Sequence, residues 1–155
     1  MRVRQATLAD IPALVALRMA LFVELGEALG GQEEALHQAS VDYFSRAMAE
    51  GRLISWVAED EEAAGGLLAV GSLTLFERPP YPGNLAGREA YLLNMYTRPA
   101  WRKRGLASQL LDAMTAYADQ RGLGKLWLHA SDTGRPIYER AGFVGHPGYL
   151  EREPG

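Results

Sequence analysis

Between Ala90 and Ala118 the chain passes from an apolar run, through a basic turn holding one glycine, into a stretch of helical periodicity. The run Ala90-Tyr91-Leu92-Leu93-Asn94-Met95-Tyr96-Thr97 reads as a strand. After Arg98-Pro99-Ala100-Trp101 and the turn Arg102-Lys103-Arg104-Gly105, the residues Leu106, Leu110, Met114, Tyr117 and Ala118 recur at steps of three and four. That spacing predicts a helix from Gly105 to about Gly122 with one buried stripe. A strand that feeds a helix through such a turn restricts the fold to a mixed α/β layer arrangement.

The junction has a chemistry of its own. The first turn of a helix leaves backbone N–H groups unpaired, and its dipole end is partially positive, so an anion such as phosphate fits there. Gly105 can take backbone angles closed to other residues, and Ala107 carries only a methyl, so a diphosphate could approach the main chain closely. Charge and glycine alone would equally describe a solvated basic turn ahead of an ordinary helix.

Spacing separates the two readings. Arg102-x-x-Gly105-x-Ala107, eight residues beyond Asn94, resembles the Arg/Gln-x-x-Gly-x-Gly/Ala motif of the GNAT N-acetyltransferase superfamily. Downstream, Pro136-Ile137-Tyr138-Glu139-Arg140-Ala141-Gly142-Phe143 is similar to the closing Leu-Tyr-Glu-Lys-x-Gly-Phe segment of that family. The resemblance covers essentially the whole chain and implies a single domain over 1–155 in the element order β-α-α-β-β-β-α-β-α-β, with a mostly antiparallel central sheet flanked by helices.

The rest of the chain fits that order. Arg2 to Ala6 alternate, and Thr7-x-x-Asp10 is a capping-box-like start for a helix through Leu25, on whose apolar stripe Arg18 is the one polar interruption. A second helix is predicted from about Glu33 to Glu50. Strands follow at Leu53–Ala58 and Gly66–Leu75, with Glu59 to Glu62 in the hairpin tip, and the proline-rich stretch Glu77 to Arg88 reads as an exposed, mobile loop. Beyond the central helix, Lys125–Ala130 is predicted as a strand, Thr133–Ala141 as a helix capped by Ser131 or Asp132, and Phe143–Leu150 as a last strand.

For function, the resemblance implies acetyl-CoA as cosubstrate and direct transfer of its acetyl group to an amine in a ternary complex. The pantetheine arm would lie along the backbone of Met95, Tyr96 and Thr97, with an N–H near Met95 on the thioester oxygen, where such donors stabilise an oxyanion. The pyrophosphate would meet Arg102, Lys103 and Arg104 and the amides of Gly105, Leu106, Ala107 and Ser108. Tyr138 stands where relatives place the tyrosine that protonates the departing thiolate. Many relatives carry Asn seven residues before it, where this chain has Ser131. The general base is not fixed: Glu89 just outside the apolar run, water ordered by Asn94, His129, and Glu24 or Glu27 on the first helix all remain open.

Composition narrows the alternatives. With no cysteine among the 155 residues, a cysteinyl acyl-enzyme cannot form, and the three histidines lack ligand spacing, so no metal is expected. A net charge of −3 gives no global pull toward nucleic acid. No apolar window reaches the roughly 18 residues of a membrane span, so a cytoplasmic protein is expected, monomeric or homodimeric. The acceptor would be a small-molecule or peptide amine. A GNAT-fold module that binds coenzyme A or acyl-CoA without catalysis is the alternative.

Overall fold

In the computed structural model, which describes residues 1–27, 29–62 and 66–154, one five-stranded sheet organises the chain. Its strands β1 (Arg2–Gln5), β2 (Leu53–Glu59), β3 (Leu67–Glu77), β4 (Arg88–Thr97) and β5 (Lys125–Leu128) lie side by side in sequence order. The first four pair antiparallel, and β4 pairs with β5 in parallel. That parallel step needs a crossover, which α3 (Leu106–Gln120) provides.

Helices cover both faces. α1 (Ile11–Glu24) and α2 (Glu33–Ala49) bury Leu14, Val15, Leu17, Phe44 and Ala47 against Leu53, Val57 and Val70 of the sheet. On the other face, α3 buries Leu106, Leu110, Leu111 and Met114 against Trp56, Leu73, Ala90 and Leu92. Each such leucine contributes roughly 1.5–3 kcal/mol by leaving water. With cover on both sides, β3 is buried continuously from Leu67 to Leu73, so its sequence is apolar rather than strictly alternating. The short α4 (Arg135–Arg140) packs Ile137 and Tyr138 at the edge of the α3 layer. Among the described residues, no helix is long and apolar enough to cross a membrane.

Three expectations need correcting. Phe143–Leu150 forms no strand, because Pro147 lacks a donor, Gly148 sits at φ 124°, and no ladder partner is present among the described residues; β5 accordingly ends at Leu128 rather than Ala130. The 77–88 stretch is exposed along most of its length, as expected, and Asn84 anchors it: this residue is buried, its amide donates to the Arg88 carbonyl and accepts from the Gly87 N–H, and Tyr81 and Asn84 form an isolated bridge. Glu89 lies inside β4 and is fully buried, not outside the strand.

Thr7 and Asp10 do meet as the capping pattern suggests, the Thr7 N–H donating to Asp10 Oδ2 at 2.7 Å. They close a short 3-10 turn at Leu8–Asp10, and α1 follows directly from it.

Candidate functional site

The centre of the sheet is irregular where Ser72 pairs with Leu93 but Val70 pairs with Tyr96, so β4 spends one more residue than β3 over the same span. Asn94 absorbs the bulge in a left-handed conformation, φ 61°, which asparagine tolerates better than most residues. Gly71 lies opposite. A Cβ there would come within 2.8 Å of Met114 Sδ and 3.0 Å of Met95 Sδ, so any side chain at this position requires the two methionines to shift.

The two neighbours of β4 also part company. Pairing with β5 ends at Leu92 and Leu128, while β4 continues beside β3 as far as Thr97. From Leu93 to Thr97 one edge of β4 therefore carries no strand among the described residues, and its main-chain groups open into a wedge. Met95, Tyr96 and Thr97, expected to meet the pantetheine arm, all lie along this edge.

The chain then turns through Pro99–Trp101 into the basic loop. Gly105 caps α3 at φ 80°, and no atom lies within 4 Å of where its Cβ would be. Lys103 shares the left-handed region at φ 63°. The first bond of the helix runs from the Gln109 N–H to the Gly105 carbonyl, so the amides of Leu106, Ala107 and Ser108 point into the loop without an intrahelical acceptor. An open glycine, three such amides and a wedge leading to them fit a pyrophosphate and its pantetheine arm.

The loop arginines are partly engaged elsewhere. Arg102 donates from Nε to the Thr97 carbonyl at 2.9 Å and pairs with Glu24 at 2.6 Å, while the Arg104 guanidinium lies 4.7 Å from the Trp101 ring centre. Lys103 makes no ion pair among the described residues.

Tyr138 sits on α4 beside a cleft of about 990 Å³ between β5, α4 and the 143–149 segment. Its ring packs edge-on against Phe143, and burial, with Tyr91 adding to it, raises its hydroxyl above the ordinary phenol value. It is therefore a protonated donor at neutral pH. Ser131 Oγ accepts from the Gly134 N–H at 3.1 Å in the turn before α4; the helix begins at Arg135 rather than Thr133, and its N-cap is Gly134, not Ser131 or Asp132.

The base candidates separate on geometry. The Arg102 guanidinium holds the Glu24 carboxyl below its usual range, which makes it a weaker base. Glu27 is exposed. Burial pushes the Glu89 carboxyl up, but the Tyr81 hydroxyl at 2.5 Å and Arg78 at 3.4 Å outweigh it, with a net lowering. His129 lies just beyond β5, its Nδ1 2.5 Å from the Tyr91 hydroxyl. That ring forms an aromatic group with Tyr91, Trp127 and Tyr149, which sequence spacing did not bring together.

On the opposite face, α1, α2 and the bulge form a half-open cavity of about 190 Å³ lined by Arg18, Ser40, Tyr43, Leu93 and Asn94. Neither amide atom of Asn94 meets a hydrogen-bond partner among the described residues.

Comparison with known proteins gives the same outline. The model of the acetyltransferase (GNAT) family matches residues 19–143. A predicted acetyltransferase of Clostridium acetobutylicum, solved with acetyl-CoA, is 31% identical over 98% of this chain and 95% of its own, with a TM-score of 0.85. A GCN5-related N-acetyltransferase of Ralstonia eutropha is 28% identical over 99% of both chains, with a TM-score of 0.86. Glucosamine-6-phosphate N-acetyltransferase of Arabidopsis thaliana, 16% identical over 98% of this chain and 97% of its own, shares the fold at a TM-score of 0.73. No match was found among curated proteins.

Proposed function

Since the chain belongs to the acetyltransferase (GNAT) family, we propose that it is an acetyl-CoA-dependent N-acetyltransferase that passes acetyl directly to an amine within a ternary complex. One observation carries the reading: the unpaired edge of β4 runs straight into the open amides at the start of α3. A thioester arm laid along that edge would have its diphosphate at the helix end and its acyl group at the bulge.

In this mechanism the main chain around Met95 holds the thioester oxygen, an effect worth a few kcal/mol in acyl transfer. Tyr138 then gives its proton to the departing thiolate. A phenol near ~10 and a thiol near ~8.5 are close enough for easy transfer, and burial keeps the phenol protonated until it is needed. Asn94, beside Met95, turns its amide toward the α1 and α2 side, where it orders water or the incoming amine. The acceptor therefore enters from that side, and the coenzyme from the α3 side.

The test is thiol release from acetyl-CoA with a panel of polyamines, amino acids, aminoglycosides, arylamines and short peptides. A hit that falls away in Tyr138→Phe supports the transferase. Coenzyme binding without any productive acceptor would favour a binding module, and failure to bind coenzyme at all would exclude both.

A further inference from the structure

Arg18 occupies the apolar stripe of α1, among Leu14, Val15 and Leu17, all of which are buried. Arg2, Arg4, Arg52, Arg78 and Arg102 each meet a carboxylate, whereas Arg18 meets none among the described residues. Its guanidinium carbon instead lies 4.6 Å from the Phe22 ring centre. A half-buried cation without a counter-ion is costly, and burial here pulls the guanidinium below its ordinary value. Arginine nevertheless stays charged, so this cavity is short of one negative charge.

The second observation lies across the same cavity. Asn94 is only 5% exposed, and both its amide oxygen and amide nitrogen lack partners among the described residues. A buried amide left in that state loses on the order of 1–3 kcal/mol relative to a bonded one. The Ser72 hydroxyl, which also lines the cavity, bonds to Ser55 at 2.7 Å and does not reach the Asn94 amide. Asn94 also stands next to Met95, so whatever it binds lies beside the expected thioester position.

We propose that this cavity binds a carboxylate of the acceptor through the Arg18 guanidinium and the Asn94 amide, so that the amines accepted are amino acids or similar amines bearing one carboxylate. The proposal rests on the transferase reading above. One cation matches one negative charge, which favours a carboxylate over a phosphomonoester dianion. The planar guanidinium fork suits the planar carboxylate, and the amide N–H₂ of Asn94 adds a donor. A cavity of about 190 Å³ has room for a small ligand, not for a folded peptide chain.

The test compares amino acids with their α-amides and with the corresponding decarboxylated amines, reading thiol release in the wild type, Arg18→Met and Asn94→Asp. Calorimetric binding of acetyl-CoA serves as the folding control for each variant. The acid should be preferred over its amide by about tenfold or more in kcat/KM, chiefly through KM. Arg18→Met keeps the length and apolar stem of the side chain and should collapse that preference. Asn94→Asp sets an internal carboxylate in the cavity opposite Arg18 and should exclude the acid while leaving coenzyme binding in place.

Equal turnover of acid and amide, or a preference that survives Arg18→Met, overturns the proposal. If no amine is acetylated, titration of the amino acids into the coenzyme complex decides. Binding that is lost in Arg18→Met supports the carboxylate site while removing the transferase reading, and absence of binding removes the site.

Discussion

The phenolic oxygen of Tyr81 lies 2.5 Å from Oε2 of the fully buried Glu89. It joins the 78–88 loop to the middle of the sheet, with Arg78 supporting the same carboxylate from 3.4 Å. Tyr81→Phe removes a hydrogen bond to a charged group and should destabilise the fold by roughly 1.5–3 kcal/mol at pH 7. The Glu89 carboxyl is lowered in the folded state. Its contribution is therefore complete above the unfolded value, near ~4.3, and is lost as pH falls through the folded one. Denaturant unfolding should show the Tyr81→Phe penalty shrinking below about pH 4; an equal penalty at pH 7 and pH 3.5 would mean that the carboxylate is not what the hydroxyl stabilises.

Tyr138→Phe should slow turnover by roughly ten- to a thousand-fold, the range of ordinary general-acid contributions. Coenzyme affinity should stay close to that of the wild type, because the ring and its contact with Phe143 remain. Turnover by thiol release and affinity by calorimetry separate the two effects. Unchanged turnover would leave Tyr138 as a packing residue only.

Gly105→Ala should cost about 1 kcal/mol of stability, the penalty of a Cβ in the left-handed region. The methyl has open space around it, so the strain is conformational rather than steric. Its second effect is on the coenzyme, because strain at the N-cap would disturb the amides of the first helical turn. Weaker acetyl-CoA binding by calorimetry is expected, and unchanged binding would place the diphosphate elsewhere.

Glu24→Gln should leave the melting temperature unchanged, since both partners of the Glu24–Arg102 pair are about two-fifths exposed (41% and 40%) and exposed pairs contribute little. Its expected effect is electrostatic: the Arg102 charge loses its neutralising partner beside the loop, and coenzyme affinity holds or rises, most clearly at low salt. A loss of affinity would show that the pair positions the loop instead.

The strand, basic turn and central helix were legible in the sequence because their signals are local: apolar periodicity, one glycine and a run of cations. Other features depended on residues distant in the chain. Arg18 was visible as a polar interruption, but its lack of a counter-ion follows only from how α1, α2 and β4 meet. Glu89 looked like a residue at the edge of a strand because its partners Tyr81 and Arg78 lie across a proline-rich turn. Phe143–Leu150 had the composition of a strand without a neighbour to pair with. Similarly, Arg102 could be read as a phosphate ligand from the motif, while its pairing with Glu24 required the end of α1 to reach the loop.

The extra residue at Asn94 also sets the phase of β4. Before it, Ala90 and Leu92 face α3; after it, Met95 faces α3 and Tyr96 faces α1 and α2, so odd and even positions have exchanged sides. Two reading frames of the same strand are thus joined at one residue. Substitutions along β4 alter single contacts; a one-residue deletion at Asn94 would flatten the bulge while leaving Met95 and Tyr96 on their layers, but a one-residue insertion there would send every side chain from Met95 to Thr97 to the wrong layer. In this family member, the strand can drift in identity far more freely than in length.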